Sequence, residues 1–325
     1  MTAIPRQRIL FLGATGTIGR ATVRVLVAQG HDVVCFIRNR DGINHPALAG
    51  AQIRIGNVLD PLSLQDDGFR GEAFDAVIST LASRTGVPRE AWAIDYNAHV
   101  ETLKLAQAAH VQHFVLLSAL CVQKPRLAFQ HAKLAFEHKL ITSGLNYSIV
   151  RPTAFFKSLS GQVQRVKAGK PYLIFGNGRL TSCKPISDHD LGCYLASCLN
   201  DSEKHNVILP IGGPGPSVTP REQGEIIFAA LGRSPKFQSV PITLLKSIRA
   251  TLSFLGRFNE RIADKAELAA IGLYYGTESM LVLNSATGQY DPDATPSTGQ
   301  ETLQSYFEKL IRNEIADDRR DHAIF

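Results

Sequence analysis

Residues 8–40, RILFLGATGTIGRATVRVLVAQGHDVVCFIRNR, constrain the fold more than any other stretch. An apolar run of strand length enters a turn in which Gly13, Gly16 and Gly19 recur at every third position. A helix-period stretch follows, and a second apolar run then ends at Arg38. Parallel neighbouring strands need a long crossover, usually a helix, so the segment reads as strand, turn, helix, strand. The first glycine permits a tight turn. The second allows close approach to the backbone, and the third lets the helix pack on the strand.

The alternation continues to about residue 155. Strand-like runs appear at RILFLG, HDVVCFIR, AQIRIGNV, FDAVISTL, HFVLLSAL and NYSIVRP. Helix-period stretches lie between them at GRATVRVLVAQG, PLSLQDDGF, AHVETLKLAQAA and HAKLAFEHKLITSG. The pattern predicts an α/β protein, a Rossmann-like doubly wound parallel sheet covered on both faces, with a smaller C-terminal substrate-binding portion. Residues 1–155 are expected to form the nucleotide-binding domain, with 186–210 returning to it as a turn, a helix (ISDHDLGCYLASCLN) and a strand (HNVILPIGG). Residues 156–185 and 211–325 are left for the substrate-binding portion. There, SVTPREQGEIIFAALGRSP places Thr219 as N-cap, Pro220 at the first helical position, Glu222 closing a capping box and Gly232 as the stop. PITLLKSIRATLSFLGRF (241–258) is apolar on one side with Lys246, Arg249 and Arg257 interleaved. It suits three roles: a surface helix on the core, a lid over a substrate pocket, or an interfacial membrane helix. YDPDATPSTGQETLQSYFEKLI is turn-rich and leads into an amphipathic helix, and ADDRRDHAIF reads as a frayed tail.

At 325 residues, with 44% hydrophobic and 20% charged, the chain is long and apolar enough for a sizeable core. The net charge of +6 is a mild excess spread along the sequence, which argues against a nucleic-acid partner. Cys35, Cys121, Cys183, Cys193 and Cys198 form no C-x-x-C pair and no metal-ligand spacing, so reduced thiols and no metal site are expected. The start MTAIPRQR lacks the apolar core of a signal peptide and the serine-rich length of a transit peptide. No run of about 18 apolar residues is present to span a membrane. A cytoplasmic protein is expected, with peripheral membrane contact left open.

The glycine turn carries the chemistry. Gly13, Ala14, Thr15, Gly16, Thr17, Ile18 and Gly19 form the expected cradle for a dinucleotide pyrophosphate, whose charge the helix N-terminus attracts. An acidic residue at the end of the second strand would bond the 2′-hydroxyl of NAD. Here Arg38 and Arg40 stand there instead, and no carboxylate lies between Asp32, at the strand's start, and Asp41. A guanidinium matches a 2′-phosphate in charge and in bidentate geometry, so the expected cofactor is NADPH. Asp60 in GNVLD falls near the adenine edge, and Thr80, Leu81 and Ala82 in STLAS near the nicotinamide ribose.

Over roughly the first 200 residues the chain resembles the short-chain dehydrogenase/reductase superfamily: the glycine turn, DYNAHVETLKLAQAA with Asn97, LLSAL with Ser118, and RPT at 151–153. The resemblance adds Ser118, Lys133, Pro152 and Thr153 to the expected cofactor contacts. That superfamily normally sets a tyrosine four residues before a lysine on one helix face. Lys133 in FQHAKLAFE occupies the lysine place, but Phe129 stands in the tyrosine place. Either catalysis has been lost, leaving a nucleotide-sensing regulator of the NmrA-like kind, or the bond reduced needs no phenol. In the second case Lys133 is the catalytic candidate, holding nicotinamide ribose hydroxyls and raising the local positive potential. A surface pair of Lys133 with Glu137 at i,i+4 is the alternative. His131 lies two residues from Lys133 along the helix and so points to nearly the opposite side.

Further stretches narrow the resemblance. SRTGVPREAWAIDYNAHVETLKLA, LLSALCVQKPRLAFQHAKLAFE, FFKSLSGQVQRVKAGKPYLIFGNGRLTSCKPISDHDLGCYLASCL and YDPDATPSTGQETLQSYFEKLI resemble the NADPH-dependent divinyl chlorophyllide 8-vinyl reductases. This implies hydride transfer from NADPH to the 8-vinyl group of a magnesium tetrapyrrole, a chlorophyllide or protochlorophyllide. Trp92, Phe155, Phe156, Tyr172, Phe175 and the 241–258 helix are then pocket candidates. Arg151 or Lys157 would meet the propionate, with Arg84 and Arg89 of the SRTGVPRE loop as alternatives, because that loop follows the fourth strand on the ligand side of such sheets. Reduction of another planar apolar metabolite also fits the pattern. An Arg38→Ala enzyme assayed with both coenzymes is expected to lose its preference for NADPH; an unchanged preference would contradict the assignment.

Overall fold

The computed structural model describes residues 5–38 and 45–316, so Arg40 lies outside the described residues. Its strands are β1 (Arg8–Leu12), β2 (Asp32–Ile37), β3 (Gln52–Ile55), β4 (Ala76–Ser79), β5 (His113–Leu117), β6 (Asn146–Pro152), β7 (Tyr172–Phe175), β8 (Val207–Ile211) and β9 (Phe237–Val240), with a small two-residue pair after them. Seven strands form one sheet in the order β3-β2-β1-β4-β5-β6-β8. From β3 across to β6 every neighbouring pair is parallel, with Leu10 opposite Val34 on one side and Val77 on the other. Strands covered on both faces must be apolar almost throughout, and Ile9–Leu12, Val33–Ile37 and His113–Leu117 are buried without a break.

Helices Thr17–Ala28, His99–Ala108, Ala128–Ile141 and Asp188–Ser197 connect or cover these strands. Leu10, Leu12, Phe36, Val77, Phe114, Leu116, Phe136, Leu140 and Ile149 belong to one buried cluster. Helix Asp188–Ser197 packs against Thr17–Ala28 almost backbone to backbone. A Cβ at Gly192 would lie 3.0 Å from the Ala21 carbonyl carbon and from the Thr22 amide nitrogen.

The chain divides into two compact units, one comprising the chain up to Pro152 with Asp188–Leu209, the other Thr153–Ser187 with the chain from Pro210 onward. In the second, β7 pairs in parallel with β9. Phe156, Val163, Tyr172, Ile174, Ile227, Phe228, Leu303 and Phe307 form its core. Helix Pro220–Ala230 starts as the sequence predicts: the Thr219 hydroxyl accepts from the Glu222 amide at 3.3 Å, and the Glu222 carboxylate accepts from the Thr219 amide at 2.7 Å. Gly232 ends it at φ +64°. The β7–β9 pair and the 18-residue helix Glu260–Thr277 are not apparent from the sequence pattern. PLSLQDDGF is a single α-turn, Pro61–Ser63, that runs into π-helix at Leu64–Phe69 rather than a plain α-helix.

Among the described residues no helix is long and apolar enough to cross a membrane. None of the five cysteines is in a disulfide, and burial pushes the Cys35, Cys183 and Cys198 thiols up to about 12. A Gly192→Val chain is expected to lose about 1–3 kcal/mol of stability, because side-chain volume must be forced between two close-packed backbones. Urea unfolding measures this, and parental stability would contradict the packing described.

Candidate active site

The chain leaves β1 for β2 on one side and returns to β4 on the other, so the carboxyl ends of β1 and β4 flank the point where strand order reverses. Ligands of open parallel sheets bind at such a point. Gly13 turns there at φ +82°, and a Cβ on it would lie 2.7 Å from the Leu81 amide nitrogen and from the Thr80 carbonyl carbon. A Cβ on Gly19 would lie 2.1 Å from the Gly13 carbonyl oxygen. The Thr80 hydroxyl donates to the Leu12 and Gly13 carbonyls, each at 3.2 Å, and the Gly16 amide donates to the Gly13 carbonyl at 3.1 Å. Gly16 is the N-cap of helix Thr17–Ala28, with no capping side chain and no acidic residue in the first turn. Ala14 and Ile18 are buried, while Thr15 and Thr17 are half-buried. The turn thus presents backbone, close to the end of β4, at an uncapped positive helix terminus. Those features fit a dinucleotide pyrophosphate. Arg38 is exposed directly after β2. Asp60, past β3, caps a short turn by accepting from the Leu62 amide at 3.0 Å.

A buried polar network lies behind the end of β4. The Lys133 ammonium is 2.9 Å from an Asp95 carboxylate oxygen; the lysine side chain is 11% exposed and the aspartate 0%. The Ser83 amide donates to the same carboxylate at 3.3–3.4 Å. Asp95 sits in a π-helical turn, Trp92–Ala98, a rare local geometry that recurs at functional sites. One turn further, His99 is fully buried. Its Nδ1 lies 2.9 Å from the Ile94 carbonyl, which can only accept, so Nδ1 carries the proton. Nε2 then accepts from the Ser79 hydroxyl at 2.8 Å, and that oxygen in turn receives the Leu81 amide at 3.3 Å. Burial, and then the charge of Lys133, push His99 down to about 4 against the opposing pull of Asp95 and the Ile94 carbonyl. The imidazole is therefore neutral. The loop beyond is organised by Glu90, which accepts from the Arg84 and Thr85 amides, each at 2.9 Å, and from the Thr85 hydroxyl. Burial acts to raise Glu90, yet these bonds hold it below the usual carboxylate range.

Several sequence expectations meet different surroundings. Glu137 does not pair with Lys133. It is buried and takes the Arg151 guanidinium, whose Nε lies 3.1 Å away, together with the Ser118 hydroxyl. Arg151 is thus engaged by a carboxylate of its own chain. Phe156 and Tyr172 are core residues: Phe156 is 3% exposed with its ring 5.5 Å from Tyr306, and Tyr172 packs at 6.1 Å against Phe237. Phe155 and Phe175 are half-buried in the second unit, Phe155 bridging to Ile186. Lys157 is half-buried too. In the first unit Trp92 is exposed, edge-to-face with Tyr96 at 5.5 Å, and Arg84 and Arg89 are exposed near it in sequence. Phe129 is half-buried, one turn before Lys133 on the same helix. His131 and Asn97 are exposed, whereas Pro152 and Thr153 are buried, the Thr153 hydroxyl donating to the Lys184 carbonyl. Asp95, His99 and Ser79 escape the sequence reading. Their one signal is an aspartate and a histidine four residues apart within the otherwise apolar stretch AWAIDYNAHV.

A NAD(P)H-binding family matches residues 13–202, more than half the chain, so the protein belongs to that nucleotide-binding class. The fold agrees: an NADPH-dependent quinone oxidoreductase of Escherichia coli, solved with NADPH, superposes with TM-score 0.68 at 17% identity over 93% of this chain and 99% of its own. A divinyl chlorophyllide a 8-vinyl-reductase of Zea mays is 46% identical over 95% of this chain and 80% of its own length. The photosystem II assembly factor Ycf39 of Cyanophora paradoxa is 26% identical over 94% of this chain and 93% of its own. The chain belongs to the divinyl chlorophyllide a 8-vinyl-reductase family.

His99 also sets a pH dependence of stability. Its folded value, about 4, lies below the ordinary 6.5, so between these limits the unfolded chain takes up the proton first. The stabilisation is complete above pH ~6.5 and is lost as pH falls toward ~4, at about 1.4 kcal/mol per pH unit and about 3 kcal/mol across the window. His113, also lowered to about 4, titrates in the same window, so the expected result by urea unfolding is a slope smaller by about 1.4 kcal/mol per pH unit in a His99→Gln chain than in the parent; an equal slope in both would contradict the buried neutral imidazole.

Proposed function

We propose that this chain reduces the 8-vinyl group of a divinyl chlorophyllide or protochlorophyllide to ethyl with NADPH. The observation that carries the reading is the 46% identity to the maize reductase over 95% of the chain, a span that includes both units. Bound NADPH supplies the hydride. The backbone of Gly13–Gly19 receives the pyrophosphate, Arg38 with Arg40 receives the 2′-phosphate, and Asp60 borders the adenine. Thr80, Leu81, Ala82, Ser118 and Pro152 border the nicotinamide end. Lys133 holds the ribose hydroxyls there and keeps one positive charge beside the reaction. Asp95 fixes where that charge sits.

The missing phenol follows from the bond reduced. Hydride adds to the terminal vinyl carbon, and the electron pair left behind spreads into the conjugated macrocycle. A proton then joins the inner vinyl carbon. No negative charge collects on an oxygen, so a tyrosine would have no oxyanion to protonate, and Phe129 stands in its place. What the protein must do is hold a flat apolar ring system in reacting geometry. Trp92 is the face proposed in the first unit for that ring, and Arg84 the cation for its propionate.

A second reading is a non-catalytic NADP-binding regulator. Phe129, together with the 26% identity to a photosystem II assembly factor, favours it. Mixing the protein with NADPH and divinyl chlorophyllide separates the two. Turnover shifts the Soret band to the blue as vinyl conjugation is lost; tight NADPH binding with no shift for any tetrapyrrole would replace the first reading by the second. Lys133→Ala is expected to lower kcat roughly 100-fold, Asp95→Asn roughly tenfold, and Phe129→Tyr to leave it near the parental value. The reverse order would overturn the role given to the lysine.

A further inference from the structure

Helix Ile242–Leu255 has no buried residue. Leu244, Ile248, Phe254 and Leu255 are all exposed, and Phe258, just past its end, is 80% exposed. At about 100° per residue, Leu244, Ile248 and Leu255 form one stripe, with Phe254 and Phe258 along its edge. The other side of the helix is covered. Ile242, Leu245, Leu252 and Gly256 are half-buried, and the chain turns back so tightly that a Cβ on Gly256 would lie 2.8 Å from the Ala263 Cα in helix Glu260–Thr277. The result is a helical hairpin with one long apolar face turned to solvent. Soluble surfaces rarely carry so many large apolar side chains together unless something docks there.

The charges select the occupant. Residues 241–258 contain Lys246, Arg249 and Arg257 and no acid; Glu260 and Asp264 enter only with the next helix, beside Arg261 and Lys265. The Arg257 guanidinium lies 6.0 Å from the Phe254 ring, and Phe254 meets Phe258 edge-to-face at 6.2 Å, so this cation borders the apolar stripe; Lys246 and Arg249, about 200° and 140° around the helix from Leu244, are exposed on its polar side. A second copy docked symmetrically on this face would bring like charges together. An anionic bilayer satisfies both parts, its acyl boundary taking the leucines and phenylalanines and its headgroups the cations. At 14 residues the helix is too short to span.

We propose that helix Ile242–Leu255 with Phe258 is an interfacial anchor that seats the protein on anionic membrane surfaces. It would meet an amphiphilic planar substrate where such molecules partition; that consequence rests on the proposed function, whereas the anchor does not. The test is flotation of the purified full-length chain with phosphatidylglycerol–phosphatidylcholine vesicles, in the absence of tetrapyrrole. The chain is expected to float with anionic vesicles and to partition roughly tenfold less onto pure phosphatidylcholine, or in about 0.5 M salt. The double substitutions Phe254→Ser/Phe258→Ser and Lys246→Glu/Arg249→Glu are each expected to weaken partitioning about tenfold or more with thermal unfolding unchanged, since all four side chains are exposed. No partitioning onto anionic vesicles, or equal partitioning onto both lipids, would overturn the proposal. So would light scattering that shows a dimer split by Phe254→Ser/Phe258→Ser while vesicle binding persists, because the face would then belong to a second copy.

Discussion

The structure depends on how closely two pieces of backbone approach each other. Helix Thr17–Ala28 starts so near the β1 turn, and the turn so near the end of β4, that a single Cβ at Gly13 or Gly19 would overlap main-chain atoms. Thr80 fastens that approach by donating to two carbonyls of the turn. Because β4 is held there, the residues after it, Thr80 to Ser83, are delivered to the ligand edge of the sheet. The same contact that closes the fold also makes a surface of bare amides at a helix terminus, where a pyrophosphate is favoured.

The second organising feature is where charge is allowed inside the first unit. Two carboxylates are buried near the Ala128–Ile141 helix, and each has its own cation: Asp95 takes Lys133 and Glu137 takes Arg151. Removing one member of such a pair strands the other in a poorly solvated site, so the partners are mutually necessary even where their net contribution to stability is small. The separation has a chemical consequence. With Glu137 occupied by Arg151 and Ser118, Lys133 is left to Asp95, on the side of the helix that faces the end of β4 through Ser83. The neutral His99 beneath adds no second positive charge to compete with the lysine.

Much of this was legible in the sequence because it rests on period and local chemistry. Alternating strands and helices, the spacing of Gly13, Gly16 and Gly19, and the Thr219–Glu222 capping box are each written within a few neighbouring residues. What was not legible depends on pairings distant in the chain. Lys133 and Glu137 stand four apart on one helix, which suggests a pair, yet the interior offers each a better partner from another element, 38 residues before Lys133 in one case and 14 after Glu137 in the other. The π-turn at Trp92–Ala98 inserts a residue that no simple periodicity marks, and it carries Asp95 to the lysine. Phe156 and Tyr172 resembled pocket residues in composition alone; only the second unit's packing reveals them as core.

The close-packed glycine turn is the part of the molecule on which receipt of the dinucleotide depends. Titrating NADPH into a Gly19→Ala chain by calorimetry, with circular dichroism to verify the fold, tests it most directly. A methyl group forced against the Gly13 carbonyl must displace the turn, at a cost of about 1–3 kcal/mol, so affinity should fall by roughly 5- to 150-fold while helix and strand content persist. A folded Gly19→Ala chain that binds NADPH as tightly as the parent would contradict it.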